Sequence, residues 1–544
     1  MTEPEENKRE PCIFDSIGIC FSGGGYRASS FTLGVLSYLN HIQFKEGPLL
    51  DKVSALSTVS GGTITGATFT QSKIVDQPFE TFYHDFYSFL EKDLLLDEAI
   101  GFLMDDELWE KQTKRRNWIN SFALAYERLL VDKTMVDMFH MNASLKHVCF
   151  NATEFTYGLA FRFQNTGKFG NYYLQCNELK AFSEDIKFSD AIASSSCFPI
   201  GFEPLVFPDD YSEDHTASDY KLLKQKPDFK AGIGIMDGGI VDNQGIGSMM
   251  NFIEDTMKKA SINLIMVNDV GSFRMDPWVP ELKKDNENGD QSLANAINRL
   301  LSIFRFRNIY WITMLAGFIL VLVNGITKED PALDIIGGLC MGIGLTLTIF
   351  GLVTMYGTKY LKAFLGKFFK RMVPPVLLDD LKALKNLNIS TIRQMIIERM
   401  SSALVMVDDI FLRQLRRLNY DLLYARSDLR EKIITTTVYQ LNGEEHSIRN
   451  KNQDASFLEE GTEKIRASSL IASQTPTTLW WDAKDREVNR LANLVACGQF
   501  TTCFNLLVFI KKMPEKKKTP AIIKMSLQLE RNWEQFKKDP LFMV

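Results

Sequence analysis

Val53-Ser54-Ala55-Leu56-Ser57-Thr58-Val59-Ser60-Gly61-Gly62 is the stretch whose reading decides the fold. A short apolar run, Val53 to Leu56, leads towards a serine followed at once by two glycines. This is the layout of a nucleophile elbow: a strand ends, the backbone turns sharply, a helix begins, and the serine hydroxyl stands clear above the sheet. Small residues after the serine suit such a turn. Ser-Gly-Gly also occurs in ordinary loops, so Thr58 to Gly62 has to be weighed with its surroundings.

Upstream, Ile17-Gly18-Ile19-Cys20-Phe21 reads as a buried strand entering Ser22-Gly23-Gly24-Gly25-Tyr26-Arg27-Ala28. Gly23, Gly24 and Gly25 would leave backbone N–H groups unobstructed at a helix start, a site suited to developing negative charge. The competing reading is a dinucleotide fingerprint, since Gly23-x-Gly25-x-x-Ala28 fits that glycine pattern. No acidic residue clearly ends a second strand about 20 residues on, as that reading wants. Downstream, Ile233-Gly234-Ile235-Met236-Asp237-Gly238-Gly239 repeats the theme of a strand entering a glycine-flanked turn. A carboxylate there stands at the carboxyl edge of an α/β sheet, which makes Asp237 the candidate base. Its plain alternative is an Asp-Gly turn.

Taken in order, Gly23-Gly24-Gly25-Tyr26-Arg27, Ser60-Gly61-Gly62 and Asp237-Gly238-Gly239 resemble the motifs of the patatin-like phospholipases. A fourth block, Phe188 to Pro199 with Ser194-Ser195-Ser196-Cys197, is similar to the segment that precedes the acid in that family. The resemblance runs over residues 16 to 273, and Ala467 to Cys503 is similar to the closing helices of such domains. It implies an α/β fold, a patatin-like three-layer sheet sandwiched by helices. It also implies a dyad of Ser60 and Asp237, an oxyanion hole from Gly23, Gly24 and Gly25, and supporting roles for Arg27, Gly61, Gly62, Gly238 and Gly239. Arg27 would brace the glycine loop or face a lipid phosphate. One departure is Thr58, where the family usually has glycine two residues before the nucleophile. A β-branched side chain crowds the turn, so either the elbow opens or the activity is restrained.

The histidines check the dyad. A Ser-acid-His triad on such a sheet needs a histidine after the acid, and of the six histidines only His446 follows Asp237, in the polar Asn442-Gly443-Glu444-Glu445-His446. The others are scattered, with no ligand spacing for a metal. No metal and no cofactor are expected. As the resemblance implies, Asp237 would take the Ser60 proton directly, Ser60 would attack a lipid ester, and water would clear the acyl-enzyme. An acyltransferase using the same dyad is one alternative, and a catalytically weak membrane scaffold with a decayed elbow is the other.

At 544 residues, 24% charged and 45% hydrophobic, the chain has an ordinary globular composition with room for more than one domain. A net charge of -5 argues against nucleic acid as the main partner. Eight cysteines at irregular spacings read as reduced thiols of a cytosolic protein. Met1 to Glu10 lacks an apolar segment, so no secretory signal is expected there.

Two apolar stretches stand apart, Asn308 to Thr327 and Ile335 to Thr358, joined by the polar Lys328 to Asp334. A spanning helix needs about 20 apolar residues. Arg299, Arg305 and Arg307 precede the first, and Lys359, Lys362, Lys367, Lys370 and Arg371 follow the second. By the positive-inside rule this is a transmembrane hairpin with both outer ends, and the catalytic domain, on the cytoplasmic side. Gly338-x-x-x-Gly342 is the expected close-approach motif, and Leu361 to Val373 an expected basic interfacial helix. The alternative is two core helices of a soluble domain.

The expected organisation follows. Residues 1-11 form a flexible N-terminus, 12-275 the patatin-like core, 276-307 a linker, 308-358 the hairpin and 359-375 the interfacial segment. Residues 376-512 complete the catalytic domain with helices and one returning strand, Ile433 to Val438, and 513-544 form a tail with an amphipathic helix at Pro520 to Lys538. Phe79 to Met141 reads as helical, as core or as a lid. The expected partners are a membrane phospholipid or other acyl lipid, the bilayer, and in one option a second copy in a homo-oligomer.

Overall fold

The computed structural model describes residues 12–141, 143–199, 201–256, 262–271, 308–327, 334–346, 388–443 and 462–544, with Trp278, Val279, Asn295, Ala332 and Ile349. It divides into two units, residues 1–276 with 407–544, and residues 277–406.

In the first unit the strands are β1 (Ile17–Phe21), β2 (Gln43–Phe44), β3 (Gly47–Pro48), β4 (Val53–Val59), β5 (His147–Glu154), β6 (Leu159–Gln164), β7 (Leu205–Phe207), β8 (Ile233–Asp237), β9 (Leu264–Asp269) and β10 (Ile433–Thr437). All but the small β2-β3 ribbon form one eight-stranded sheet in the order β10-β9-β1-β4-β5-β8-β7, with β6 beside β5. Pairing is parallel from β10 through β5 and antiparallel where β5 meets β6 and β8.

Alternation along the strands sorts the side chains into two cores. Ile19, Phe21, Leu56, Phe150 and Met266 join one, with residues of α1 (Gly25–His41), α2 (Gly61–Ile74) and helices Glu463–Ser473, Arg490–Lys512 and Pro520–Lys538. Cys20, Ala55, Cys149, Ile265 and Val267 point the other way, to helices Ile246–Thr256 and Leu412–Ala425. Central strands buried on both faces are what make β1 and β4 read as nearly continuous apolar runs. The result is three layers, helix, sheet, helix. The expected return of Ile433 to Val438 occurs as β10, parallel to β9 at the sheet's edge. The helix expected at Pro520 to Lys538 buries Ile522, Met525, Leu529, Trp533 and Phe536, a spacing of three and four that lines one face.

Phe79 to Met141 is helical, and Phe82, Phe86, Phe89, Phe122 and Tyr126 are buried in the main core. Core packing is the use of those rings.

Among the described residues one helix is long and apolar enough to cross a membrane, Arg490–Lys512, and 89% of its most apolar window is buried. Its neighbour explains that composition. A Cβ on Gly34 of α1 would lie 2.0 Å from the Val495 carbonyl oxygen, and one on Gly498 would lie 2.1 Å from that of Phe31. The two helices touch backbone to backbone, so the apolar surface faces protein.

The second unit holds the helix Asn308–Thr327 and the shorter apolar helix Asp334–Thr346. Ile312, Leu315, Phe318, Ile319, Ile335 and Leu339 are exposed, at 49% to 66%. The close approach between these helices falls on other glycines than Gly338 and Gly342, which have nothing within 4 Å of an added Cβ. A Cβ on Gly317 would lie 2.6 Å from the Gly337 carbonyl oxygen, and one on Gly344 would lie 2.7 Å from Met314 N. The expected motif had the right residue type on the wrong face. The expected second span beyond Thr346, apart from Ile349, and the interfacial segment 361–373 lie outside the described residues.

Gly34→Ala and Gly498→Ala are each expected to destabilise the first unit by about 1–3 kcal/mol, because overpacking a backbone contact forces the helices apart. Denaturant midpoints with unchanged slopes would measure this; unchanged midpoints in both variants would refute the contact.

Candidate active site

Ser60 occupies the turn between β4 and α2 with φ 51° and ψ -124°. A non-glycine residue holds such a conformation at a cost of about 1–3 kcal/mol, and only where the surroundings dictate it. The two glycines that follow are needed for a reason beyond the kink. A Cβ on Gly61 would lie 2.0 Å from the Gly25 carbonyl oxygen, and one on Gly62 would lie 2.7 Å from that of Ser22. The glycine loop before α1 is packed directly on the elbow. Thr58 is accommodated as well. Its Cγ2 would be 2.5 Å from a Cβ on Gly66, so the missing side chain on α2 provides the room that the β-branched residue takes.

Sheet pairing brings Asp237 to this turn. β4 pairs with β5 up to Val59 opposite Asn151, and on the next residue, Ala152, β5 pairs instead with Asp237 of β8. β6 already holds the other edge of β5 over Cys149 to Glu154, so β8 takes up the edge that β4 leaves. The last residue of β8 therefore stands beside the residue that follows β4. Asp237 is buried and its Oδ1 accepts from Gly239 N at 2.7 Å. Burial pushes its pKa up to about 7, while the Gly239 amide and the Ser60 hydroxyl hold it down. Gly238 is tied to this pairing too, since a Cβ there would lie 2.4 Å from Asn151 O.

The three loop glycines are not equivalent. Gly23 N donates to Asn243 O at 2.9 Å, so that amide is engaged. Gly24 N and Gly25 N make no hydrogen bond among the described residues. Gly24 and Gly25 have φ 142° and 53°, the left-handed side that glycine permits. Across from them runs the segment before Trp480, whose Thr477 and Thr478 carbonyls would each lie 2.3 Å from a Cβ on Gly25. Tyr26 N donates to Thr478 O at 2.8 Å, and Arg27 Nη1 to Thr475 O at 3.0 Å. Arg27 is buried, and desolvation, with the nearby Arg416, lowers its pKa to about 10. Of the two roles expected for it, this is bracing: the side chain ties the loop to residues 475–478.

Several neighbours of Ser60 and Asp237 were not singled out in the sequence. Ser60 N donates to Ser195 Oγ at 2.9 Å. Asn243 reaches between both glycine turns, its Oδ1 lying 2.4 Å from a Cβ on Gly23 and 2.8 Å from one on Gly239. Tyr126, buried, places its hydroxyl 3.4 Å from Ser196 Oγ. The Ser194-Ser195-Ser196 run was the available signal, polar residues on an otherwise apolar helix. Histidines are elsewhere: His147 opens β5 at the end away from Ser60 and bonds Thr166, and His215 bonds Asp209 O. His446 lies outside the described residues. Among the described residues no three His, Cys, Asp or Glu side chains assemble as a metal site.

Two outcomes follow from the Asp237 carboxyl. With Asp237 as the base, it would have to be ionised to act, so acylation of Ser60 would then rise with pH through about 7; a limb near 4 would mean the carboxyl is solvated. Stability should move the opposite way. The folded state keeps this proton up to about 7 and the unfolded chain only to about 4, so the fold binds more protons in that window and loses stability as pH rises through it. Asp237→Asn should therefore raise Tm relative to wild type at pH 8 and less so at pH 4.

Residues 19–250 match the family model of the patatin-like phospholipases. No curated protein matches the chain. The matched stretch holds the glycine loop, the elbow, helix Phe188–Ser196 and β8 with its aspartate, all on one three-layer sheet. The chain carries a patatin-like phospholipase domain over residues 19–250, the domain of a family of lipid acyl hydrolases.

Proposed function

We propose that the chain hydrolyses acyl esters of membrane lipids with Ser60 as nucleophile and Asp237 as base. The observation that carries this reading is that sheet pairing puts a buried carboxylate, Asp237 at the end of β8, beside Ser60 just after β4, near enough for the serine hydroxyl to help hold the carboxyl's pKa down. Asp237 accepts the Ser60 proton as the hydroxyl oxygen attacks the ester carbonyl. The oxyanion forms against Gly24 N–H and Gly25 N–H, which are fixed before the reaction by the loop's contacts on both sides and need no reorganisation. Asp237 then returns the proton to the leaving alcohol, and later takes one from the water that hydrolyses the acyl-enzyme. The acyl chain would lie along Phe198, Phe202 and Phe122, whose rings meet edge to face at 5.0 Å just beyond Cys197.

The second part of the proposal is attachment to the bilayer through residues 308–358, with the catalytic domain on the cytoplasmic side. It is supported by the length of the two apolar stretches, by their basic flanks, and by the exposed apolar side chains of the helices in the second unit. A tether holds the enzyme on the surface that contains its substrate and raises its effective concentration there.

Fatty acid release from a panel of phospholipids and neutral lipids tests the chemistry. Ser60→Ala should abolish release and Asp237→Asn should lower it by about 10²–10⁴-fold; release that survives in Ser60→Ala would overturn the nucleophile. For the anchor, full-length protein should remain in the pellet after carbonate washing. Recovery in the supernatant without detergent would remove the hairpin reading and leave the dyad untouched.

A further inference from the structure

The amide of Ser60 is held by a residue 135 positions away, and the protons on that contact can be traced. Ser195 has a single hydroxyl proton, and it goes to Asn151 O at 2.6 Å. Ser195 Oγ is therefore the acceptor for Ser60 N–H at 2.9 Å and for the Thr63 hydroxyl at 2.8 Å. Thr63, having given its proton to Ser195, accepts from the Thr58 hydroxyl at 3.0 Å. The chain runs one way only, from Thr58 through Thr63 and Ser195 to the Asn151 carbonyl. Thr58, Thr63 and Ser195 are fully buried and Asn151 is 2% exposed, so no solvent competes and each hydroxyl is fixed by the next.

Helix Phe188–Ser196, which delivers Ser195, is itself anchored. Asp190 pairs with Lys114 at 2.6 Å with both side chains buried, and Ser194 Oγ meets Tyr211 Oη at 2.5 Å. The hydroxyl chain thus ties β4, α2, this helix and β5 to one backbone amide, that of the residue in the strained conformation.

We propose that Ser195 is a positioning residue for the nucleophile, with Thr63 and Thr58 setting the direction of its hydroxyl. The proposal rests on Ser60 being the nucleophile. It gives Thr58, which stands where the family usually has glycine, a part in the site's support: the hydroxyl that starts the chain comes with the methyl that Gly66 makes room for.

The test is the rate at which a fluorophosphonate acylates Ser60 in the full-length protein, per folded molecule, across pH, with Tm measured in parallel. Ser195→Ala is expected to slow acylation at least ten-fold while the pH midpoint, set by Asp237, stays in place. Thr63 and Thr58 separate hydrogen bonding from packing. Thr63→Val and Thr58→Val keep the shape and lose the hydroxyl, and each should slow acylation several-fold. Thr63→Ser and Thr58→Ser keep the hydroxyl and lose the methyl, and should stay within two-fold of wild type. The Ser195→Ala/Thr63→Val pair should be no slower than Ser195→Ala alone, because both act through one amide. Valine variants at wild-type rate with slow serine variants would overturn the proposal, since the residues would then act by packing alone. Wild-type protein that is not labelled at Ser60 would refute the nucleophile and the positioning role with it.

Discussion

Contact between the Gly25 carbonyl and Cα of Gly61 is the constraint on which the site depends. It sets the glycine loop and the elbow, the starts of α1 and α2, at backbone contact distance. Two parallel strands that lie side by side, β1 and β4, deliver their following helices to the same edge of the sheet. Only where both turns lack side chains can the two helix N-termini converge. Converging N-termini concentrate unpaired amides and positive dipole ends in one place, which is what an anionic intermediate requires. Any side chain at Gly61 would push the loop outward and scatter those amides.

The second determinant is how β5 shares its edges. β4 stops at Val59 and β8 begins its pairing one residue further along β5. An antiparallel strand entering a parallel sheet is what turns the carboxyl end of β8 back towards the serine. The aspartate arrives in a buried place, and burial, which makes its anion costly, raises its pKa to about 7.

Much of this was legible in the sequence because the motifs are short, local and steric. Ser60 with its glycines, Asp237 with its own, and the strands Ile17 to Phe21 and Ile233 to Asp237 could be read as they stand, since a strand that runs into Gly-Gly leaves few alternatives. The return of β10 was readable from its β-branched residues, Ile433 to Thr437. Three things were not. The difference between Gly23 and its neighbours depends on Asn243 O, a partner 220 residues on. The part of Ser195 depends on which segment faces the elbow, and periodicity carries no such information. The close approach in the second unit fell on Gly317, Gly337 and Gly344, because a helix rich in glycine offers several faces and only its neighbour selects one.

One wall of the glycine loop is made by residues 475–478, through the Thr475, Thr477 and Thr478 carbonyls. Synthesis proceeds at about 5–20 residues per second, so on the order of tens of seconds separate the emergence of Ser60 from that of this wall. During that interval the nascent chain already contains Ser60 and Asp237, and the glycine loop has its elbow on one side without the carbonyls that face it on the other. A late segment of the chain thus completes its first loop, and the pocket beside Ser60 takes its final form only when most of the chain has been made.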